Sequence, residues 1–595
     1  MAVMTKRFIS LVLALMMLLA FTAAFAEEAV PLNTYTYWEP EWPIVKDGEQ
    51  LTVSVATSVN SAYYQEPEKT WFWVWSEKAT GIDFDVRQIT SEALTEQKNL
   101  MFASNNLPDV MIGLWLSTGE LVRYGMSERQ LLDLTPYINA ETMPYLTKWL
   151  EKYPEIRALA TTPDGAIYSL PFIKMKSDYF GSHERVSYNM NWLREVYPDL
   201  PEVPDTLEAY LDWVEATKNV LPKTLDQFTE LLYAFKELHP DSTPLGGIDA
   251  GENPFSFLLN AFGYLTTANN DYGYMVALKN GKPTIPATDP DFIEFLKLAN
   301  QYYVDGIIEK DFFTADKLIG TIQLTDNKCG VSPSGAPYGA LPEPEKYHQW
   351  DTMYLLTSQW NESPQVLEAS LYNVGGAVLS AGAKNVEAIL NYLDFFYSDL
   401  GIYYLWCGPI NGSVDTLGMV EGFYYDVEAG AKAFPDVVKG DYESSLAYVY
   451  SIGLGQWGAF GNRSHSITDE SYANMMQTLQ HLQGTPDEEI NRNELAYNHG
   501  DNYARICTKQ RNTHEYAING YPHIVYYTED QQATIDEISL ILNDYIKSEV
   551  AKFITGATAV TQENFDQFVK DCNAYGAKEL IAIYEDVYQN YLNIK

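Results

Sequence analysis

From Leu51 to Ile112 the spacing of apolar residues changes repeatedly between a strand period and a helix period. Leu51, Val53 and Val55 alternate with Thr52 and Ser54, which suits a half-buried strand. A helix is predicted from Glu66 to Thr80, and Gly81 stands at its C′ position, where left-handed backbone favours glycine. Ile82, Phe84 and Val86 alternate again, Ser91 opens a second helix running to Ala103, and Val110-Met111-Ile112 reads as a short buried strand. Strands alternating with helices imply a parallel, doubly wound sheet. Such sheets bind ligands beyond the carboxyl ends of their strands. The loop Ala56–Tyr63, which holds Asn60, and the loop Gly113–Thr118, which holds Trp115 and Ser117, are therefore expected to border a crevice.

Further along, Asp164-Gly165 is a turn signal, followed by a predicted strand Ile167–Leu170 and then Pro171, and this stretch is a candidate crossing between lobes. Two stretches echo each other: Pro204-Asp-Thr-Leu-Glu-Ala-Tyr and Pro222-Lys-Thr-Leu-Asp-Gln-Phe each open a helix. In the second, Thr224 and Gln227 have capping-box spacing, and Leu225, Phe228, Leu231, Leu232, Phe235 and Leu238 trace one apolar face. Asp289–Gly306 reads as an amphipathic helix, Ser332–Pro344 as a loop, Tyr372–Ser380 as a buried strand and Val386–Ser398 as a helix. Cys407–Ser413 is a turn cluster. The stretch from Asp530 to Lys595 is almost entirely helical by period, with a break near Gly556.

Composition narrows the function classes. With 39 Lys+Arg against 80 Asp+Glu the net charge is −41, and a surface this acidic repels nucleic acid and anionic lipid. Aromatic residues make up 14%, with 44 Tyr and 13 Trp, a surplus that points to aromatic binding surfaces. Lys6 and Arg7, the uncharged run Phe8–Ala26 and the small-x-small pattern Ala24-Phe25-Ala26 have the layout of a secretory signal cleaved after Ala26. No later stretch reaches the apolar length of a membrane span. Cys329, Cys407, Cys507 and Cys572 form no C-x-x-C pair, so neither a zinc nor a redox motif is supported.

Several segments taken in order resemble a known family, the large oligosaccharide-type branch of extracellular solute-binding proteins that serve ABC importers, especially those for aldouronate or alginate oligosaccharides. They are EQKNLMFASNNLPDVMI (Glu96–Ile112), DLTPYI (Asp133–Ile138), TPDGAIYSLP (Thr162–Pro171), YNMNWLR (Tyr188–Arg194), Lys223–Leu238, Asn300–Phe313 and KFITG (Lys552–Gly556). The match runs from about Leu51 to the C-terminus. The resemblance implies a type II periplasmic-binding-protein-like α/β fold: two lobes joined by crossing strands, with the ligand between them and a helical C-terminal region. The expected division gives residues 1–26 to the signal peptide and 27–595 to two interleaved lobes. Lobe 1 is expected over roughly 45–165 plus a middle segment near 350–400, and lobe 2 over roughly 166–345 plus most of 401–595. Three features depart from the family. The signal lacks the cysteine that would carry a lipid. The stretch His239–Gly247 has too few oxygen ligands at alternating positions for an EF-hand-like calcium site. Gly408-Pro-Ile-Asn-Gly412 stands where relatives commonly have Gly-Ile-Glu-Gly.

No motif singles out catalytic chemistry. His183, His465 and His523 are isolated, neither H-E-x-x-H nor H-x-x-E-H occurs, and no G-x-S-x-G elbow is present. The aromatic residues carry the better signal, because pyranose rings present apolar faces that an indole can cover. Trp71 and Trp75 share one helix face, and core packing is expected of them and of Trp192. Trp115 in the crevice loop, together with Trp360, Trp406 and Trp457 in or beside loop-like stretches, are the candidate sugar platforms. Ser117, Asn60, Arg463 and His465 are the candidate polar contacts. The reading is a secreted, monomeric two-lobe binding protein with no catalytic residues, cofactor or metal. Its partners are an oligosaccharide ligand and the transmembrane subunits of an ABC importer, and nucleic acid is excluded. Binding of peptide or another solute, a secreted glycan-degrading enzyme, and a receptor without its own transporter remain open alternatives.

Overall fold

The computed structural model describes residues 42–46, 48–61, 64–173, 186–249, 253–266, 276–316, 318–333, 348–367, 372–398, 401, 404–405, 408–409, 414–420, 424–426, 431–433, 450–453, 459–462, 507, 511, 517–518 and 520–594. The strands used below are β1 Thr52–Val59, β2 Asp83–Thr90, β3 Val110–Ile112, β4 Leu170–Ile173, β5 Ser187–Asn189, β6 Thr243–Leu245, β7 Cys329–Ser332, β8 Trp350–Thr352, β9 Tyr372–Leu379 and β10 Gly461–Asn462. The helices are α1 Trp71–Thr80, α2 Leu94–Ala103, α3 Thr118–Leu121, α4 Leu225–Leu238 and α5 Glu529–Thr555.

The first sheet has the order β10-β4-β9-β3-β1-β2. β1 pairs in parallel with β2 and β3, while β9 runs antiparallel between β3 and β4. Helix α1 ends at Gly81, which takes φ 75°, so the glycine at C′ does what its lack of a Cβ permits. The second sheet has the order β8-β5-β7-β6. α4 packs beside β6 and begins with the full reciprocal capping box between Thr224 and Gln227. Thr206, at the corresponding position of the echoed segment, accepts from the Ala209 N–H and starts its own helix, Leu207–Thr217. The C-terminal stretch is three helices, since Gly576 adds a break after the one at Gly556.

Among the described residues, two large apolar cores back these two sheets, with a small cluster of Leu324, Cys329 and Trp350 beside the second. The first gathers Val53, Val55, Trp71, Trp73, Trp75, Met111, Ile112, Val378 and Leu379. The second gathers Tyr188, Trp192, Phe228, Phe235, Leu245, Phe295, Phe553 and Leu580. The cores differ from the expected lobe boundaries in three places. Ala166–Ile173 contributes Ile167, Leu170 and Ile173 to the first core, not the second. Tyr404, Leu405, Ile452, Ala459 and Phe460 also pack in the first core, although most of 401–595 was expected in lobe 2. Met353, Tyr354 and Leu356 pack in the second core, although the stretch near 350–400 was expected in lobe 1. The physical reason is strand pairing. β4 and β10 close the first sheet on the far side of β9, and β8 extends the second sheet beyond β5. Trp71, Trp75 and Trp192 are core residues, each at most 2% exposed.

β4 itself starts three residues later than expected and runs through Pro171. Proline cannot donate to a ladder and is confined to edges or bulges. Here the pairing of β4 with β9 shifts register between Asn373 and Ala377. The irregularity lies opposite Pro171, where a ladder donor is not required.

Candidate functional site

β1, β3 and β4 all point their carboxyl ends toward the same edge of the first sheet, where β9 begins at Tyr372. Asn60 follows β1 there, and the segment Gly113–Ser117 follows β3. The two loops meet: a Cβ on Gly113 would lie 2.6 Å from the Ser58 Oγ, and Gly113 has φ 74°. Tyr372 and Asn373 of β9 pair with Ile173 and Phe172, and Asn462 of β10 pairs with Ile173. His523 reaches this edge from the stretch preceding α5, its Nε2 2.9 Å from the Tyr372 carbonyl.

The crevice loop is fixed by its backbone. Gly113 N–H donates to the Gly376 carbonyl at 2.6 Å, and Leu116 N–H donates to the Gly375 carbonyl at 2.8 Å. Leu114 and Leu116 are 1% and 3% exposed, whereas Trp115 between them is 42% exposed. Trp115 adopts φ 51°, a left-handed conformation uncommon for a bulky side chain and costing roughly 1–2 kcal/mol. Two buried leucines and two backbone hydrogen bonds hold the loop so that the indole alone turns outward.

Ser117 ends the loop as the N-cap of α3. Its Oγ accepts from the Glu120 N–H at 3.1 Å, and the Glu120 carboxylate accepts from the Ser117 N–H at 2.8 Å. Lys98 on α2 is paired to the same carboxylate at 2.8 Å. Ser117 thus anchors the turn that carries Trp115. α3 continues into a π-helical turn, Val122–Ser127, and this region abuts the start of α5. Gln532 lies over Gly119, and Ser127 donates to Glu529.

The structure brings Asn60, Trp115 and Ser117 to one edge. Trp360 lies elsewhere, against the second core, stacked on Phe262 with ring centroids 4.6 Å apart. Trp406, Trp457, Arg463 and His465 lie outside the described residues, as do the signal segment and most of Cys407–Ser413. Sequence reasoning missed Tyr372, Asn373 and His523 at this edge, and it missed the pair Gly375-Gly376. A Gly-Gly step inside an otherwise buried strand was the available signal, since such glycines mark a bulge or a close backbone approach.

In the stretch His239–Gly247, the His239 ring stacks on Trp192 at 3.8 Å and Thr243–Leu245 enters the second sheet. Among the described residues, no three His, Cys, Asp or Glu side chains cluster as they would around a metal ion. Among the same residues, no helix is long and apolar enough to cross a membrane.

No family model matches the chain. Over 567 residues it is 25% identical to the fructooligosaccharide ABC transporter substrate-binding protein FusA of Streptococcus pneumoniae, covering 91% of each chain. The structure of FusA in complex with kestose superposes with a TM-score of 0.65 at 21% identity, over 91% of this chain and 100% of that one. The HMO-binding, ABC-transporter-associated solute-binding protein of Bifidobacterium longum infantis superposes with a TM-score of 0.66 at 18% identity, over 92% and 99%. The chain has the fold of these two-lobe solute-binding proteins.

Proposed function

We propose that this chain is the substrate-binding component of an ABC importer and that it captures an oligosaccharide between its two lobes. One observation carries the reading: Trp115 is held outward in a left-handed backbone conformation on a rigid loop, at the edge of the sheet where ligands of such folds sit. Holding a large indole in solvent has no packing benefit, and its flat face is suited to the apolar face of a sugar ring. The neighbouring amides and hydroxyls of Asn60, Asn373 and Tyr372 are of the type that pairs with sugar hydroxyls. The 25% identity to a fructooligosaccharide-binding protein over nine-tenths of both chains supports the same reading.

In this role the protein performs no chemistry. Ligand contacts to both lobes favour the closed arrangement, and the transporter's transmembrane subunits read that state. The protein acts as a monomer outside the cytoplasm, after removal of the signal at Ala26. Trp360, Trp406, Trp457, Arg463 and His465 are proposed to complete the sugar contacts.

The test is a calorimetric titration of the mature protein with kestose, alginate oligosaccharides, human-milk oligosaccharides and oligopeptides. An oligosaccharide should bind and be recovered unchanged. Burying one ring face contributes about 1–3 kcal/mol, so Trp115→Ala should weaken binding by roughly 10- to 100-fold, with little change in melting temperature. Unchanged affinity with a large drop in melting temperature would assign Trp115 to the core and overturn the site. Release of shorter sugars would favour the hydrolase.

A further inference from the structure

We infer that Gly375 and Gly376 are positioning residues for Trp115, and that the bulge they form in β9 sets how far the indole stands out of the crevice loop. The inference rests on the binding role proposed for that loop, but its geometry stands apart from any ligand. Gly375 has φ 82°, and a Cβ added there would lie 1.8 Å from the Leu116 carbonyl oxygen. A Cβ on Gly376 would lie 2.0 Å from the Ala459 carbonyl oxygen. Both obstacles are backbone atoms and cannot rotate aside as a side chain could. The glycine pair therefore lets two segments approach β9 at once, the crevice loop and the stretch leading into β10. Their carbonyls take the Gly113 and Leu116 N–H groups, one on each side of Trp115.

The bulge has its own support from β4's side. Ser169 Oγ accepts the Gly375 N–H at 2.7 Å and donates toward the Ala377 carbonyl at 3.2 Å. Ser169 is 2% exposed, so this hydroxyl is a buried clamp across the register shift. The chain of contacts runs from Ser169 through Gly375 to Leu116 and so to Trp115. A shift at its start must move the indole or break the loop's backbone hydrogen bonds.

The test compares Gly375→Ala and Ser169→Ala with the unaltered protein. Each is also made with Trp115→Phe, so that the fluorescence belonging to Trp115 is obtained by difference. Acrylamide quenching then reads the exposure of that one indole without any ligand. The inference requires that Trp115's quenching change in Gly375→Ala, and change in the same direction but less in Ser169→Ala. If Gly375→Ala does not fold, Ser169→Ala decides alone. Folded variants whose Trp115 quenching equals that of the unaltered protein would overturn the inference. Titration with kestose forms the second arm. Where the unaltered protein binds it, Gly375→Ala should lose affinity by about tenfold or more, as Trp115→Ala does. If kestose and the other sugars fail to bind the unaltered protein, the proposed function falls, while the quenching comparison still decides the role of the glycines.

Discussion

The two lobes bury carboxylates in opposite ways. In the first, Asp394 is 2% exposed and is held by main-chain donors, the N–H groups of Tyr145 and Leu146 at 2.9 and 2.8 Å. These open the helix Pro144–Lys152, so the carboxyl sits at a helix N-terminus. Burial nevertheless dominates and pushes its pKa up to about 7, against the lowering effect of the two N–H donors. In the second lobe, Asp351 is 1% exposed and paired with Arg511, itself 1% exposed. Tyr210 donates to the other Asp351 oxygen at 3.1 Å, and Arg511 also reaches the Thr352 carbonyl at 3.2 Å and the Tyr354 hydroxyl at 3.3 Å. Burial alone would depress the guanidinium's pKa, but Asp351 beside it raises it instead. One lobe thus holds a carboxyl that protonates near neutrality. The other holds a buried ion pair whose members depend on each other.

The largest expected effect breaks the pair. Arg511→Met strands a buried carboxylate and should cost about 3–5 kcal/mol in denaturant melts. Adding Asp351→Asn should recover part of the loss, because it removes the stranded charge. Equal stability of the single and double variants would mean that packing of Arg511 against Trp213 and Tyr354, not charge, is what matters.

The second effect is a pH dependence confined to the first lobe. Asp394 prefers the protonated form when folded, so its contribution to stability is complete below pH 3.8 and falls as pH rises toward about 7. At 1.36 kcal/mol per unit the full span amounts to about 4 kcal/mol. Asp394→Asn, which imitates the neutral form, should gain stability relative to the unaltered protein between pH 4 and 7 and hold that gain above it. A difference that is flat with pH would show that the two N–H donors fully offset burial. The smallest effect is Thr224→Ala, which removes one side of the capping box on α4 and should cost about 1 kcal/mol of second-lobe stability, read in the same melts.

Local signals were legible where one residue type has one job. Thr224 and Gln227 announce the start of α4, Gly81 and Gly556 announce helix ends, and the alternation at Val53 and Val55 announces β1. The edge that brings Asn60 and Trp115 together followed from that alternation, because parallel strands put their carboxyl ends on one side. Long-range pairing was not legible. Pro171 reads as the end of a strand until the irregular pairing opposite it in β9 is seen, and no local pattern marks Arg511 as the buried partner of Asp351 and Tyr354. Both depend on partners far away along the chain, which local periodicity does not encode. The position of Trp115 just after β3 was legible, but the loop that carries it is held by contacts with glycines in β9 that no local pattern connects to it.

The two cores also set the timing of folding. The first takes residues from Val53 to Ile524 and the second from Val186 to Tyr588, so their memberships overlap along most of the chain. Synthesis at about 5–20 residues per second favours domains that close behind the ribosome, and neither core here can do so. Tyr188 and Trp192 are made early, yet they wait for Phe553 and Leu580 before their apolar surroundings are complete. The newborn chain is thus left open late in its synthesis. That is the form in which a polypeptide is slowest to bury its apolar surface and longest exposed to wrong contacts.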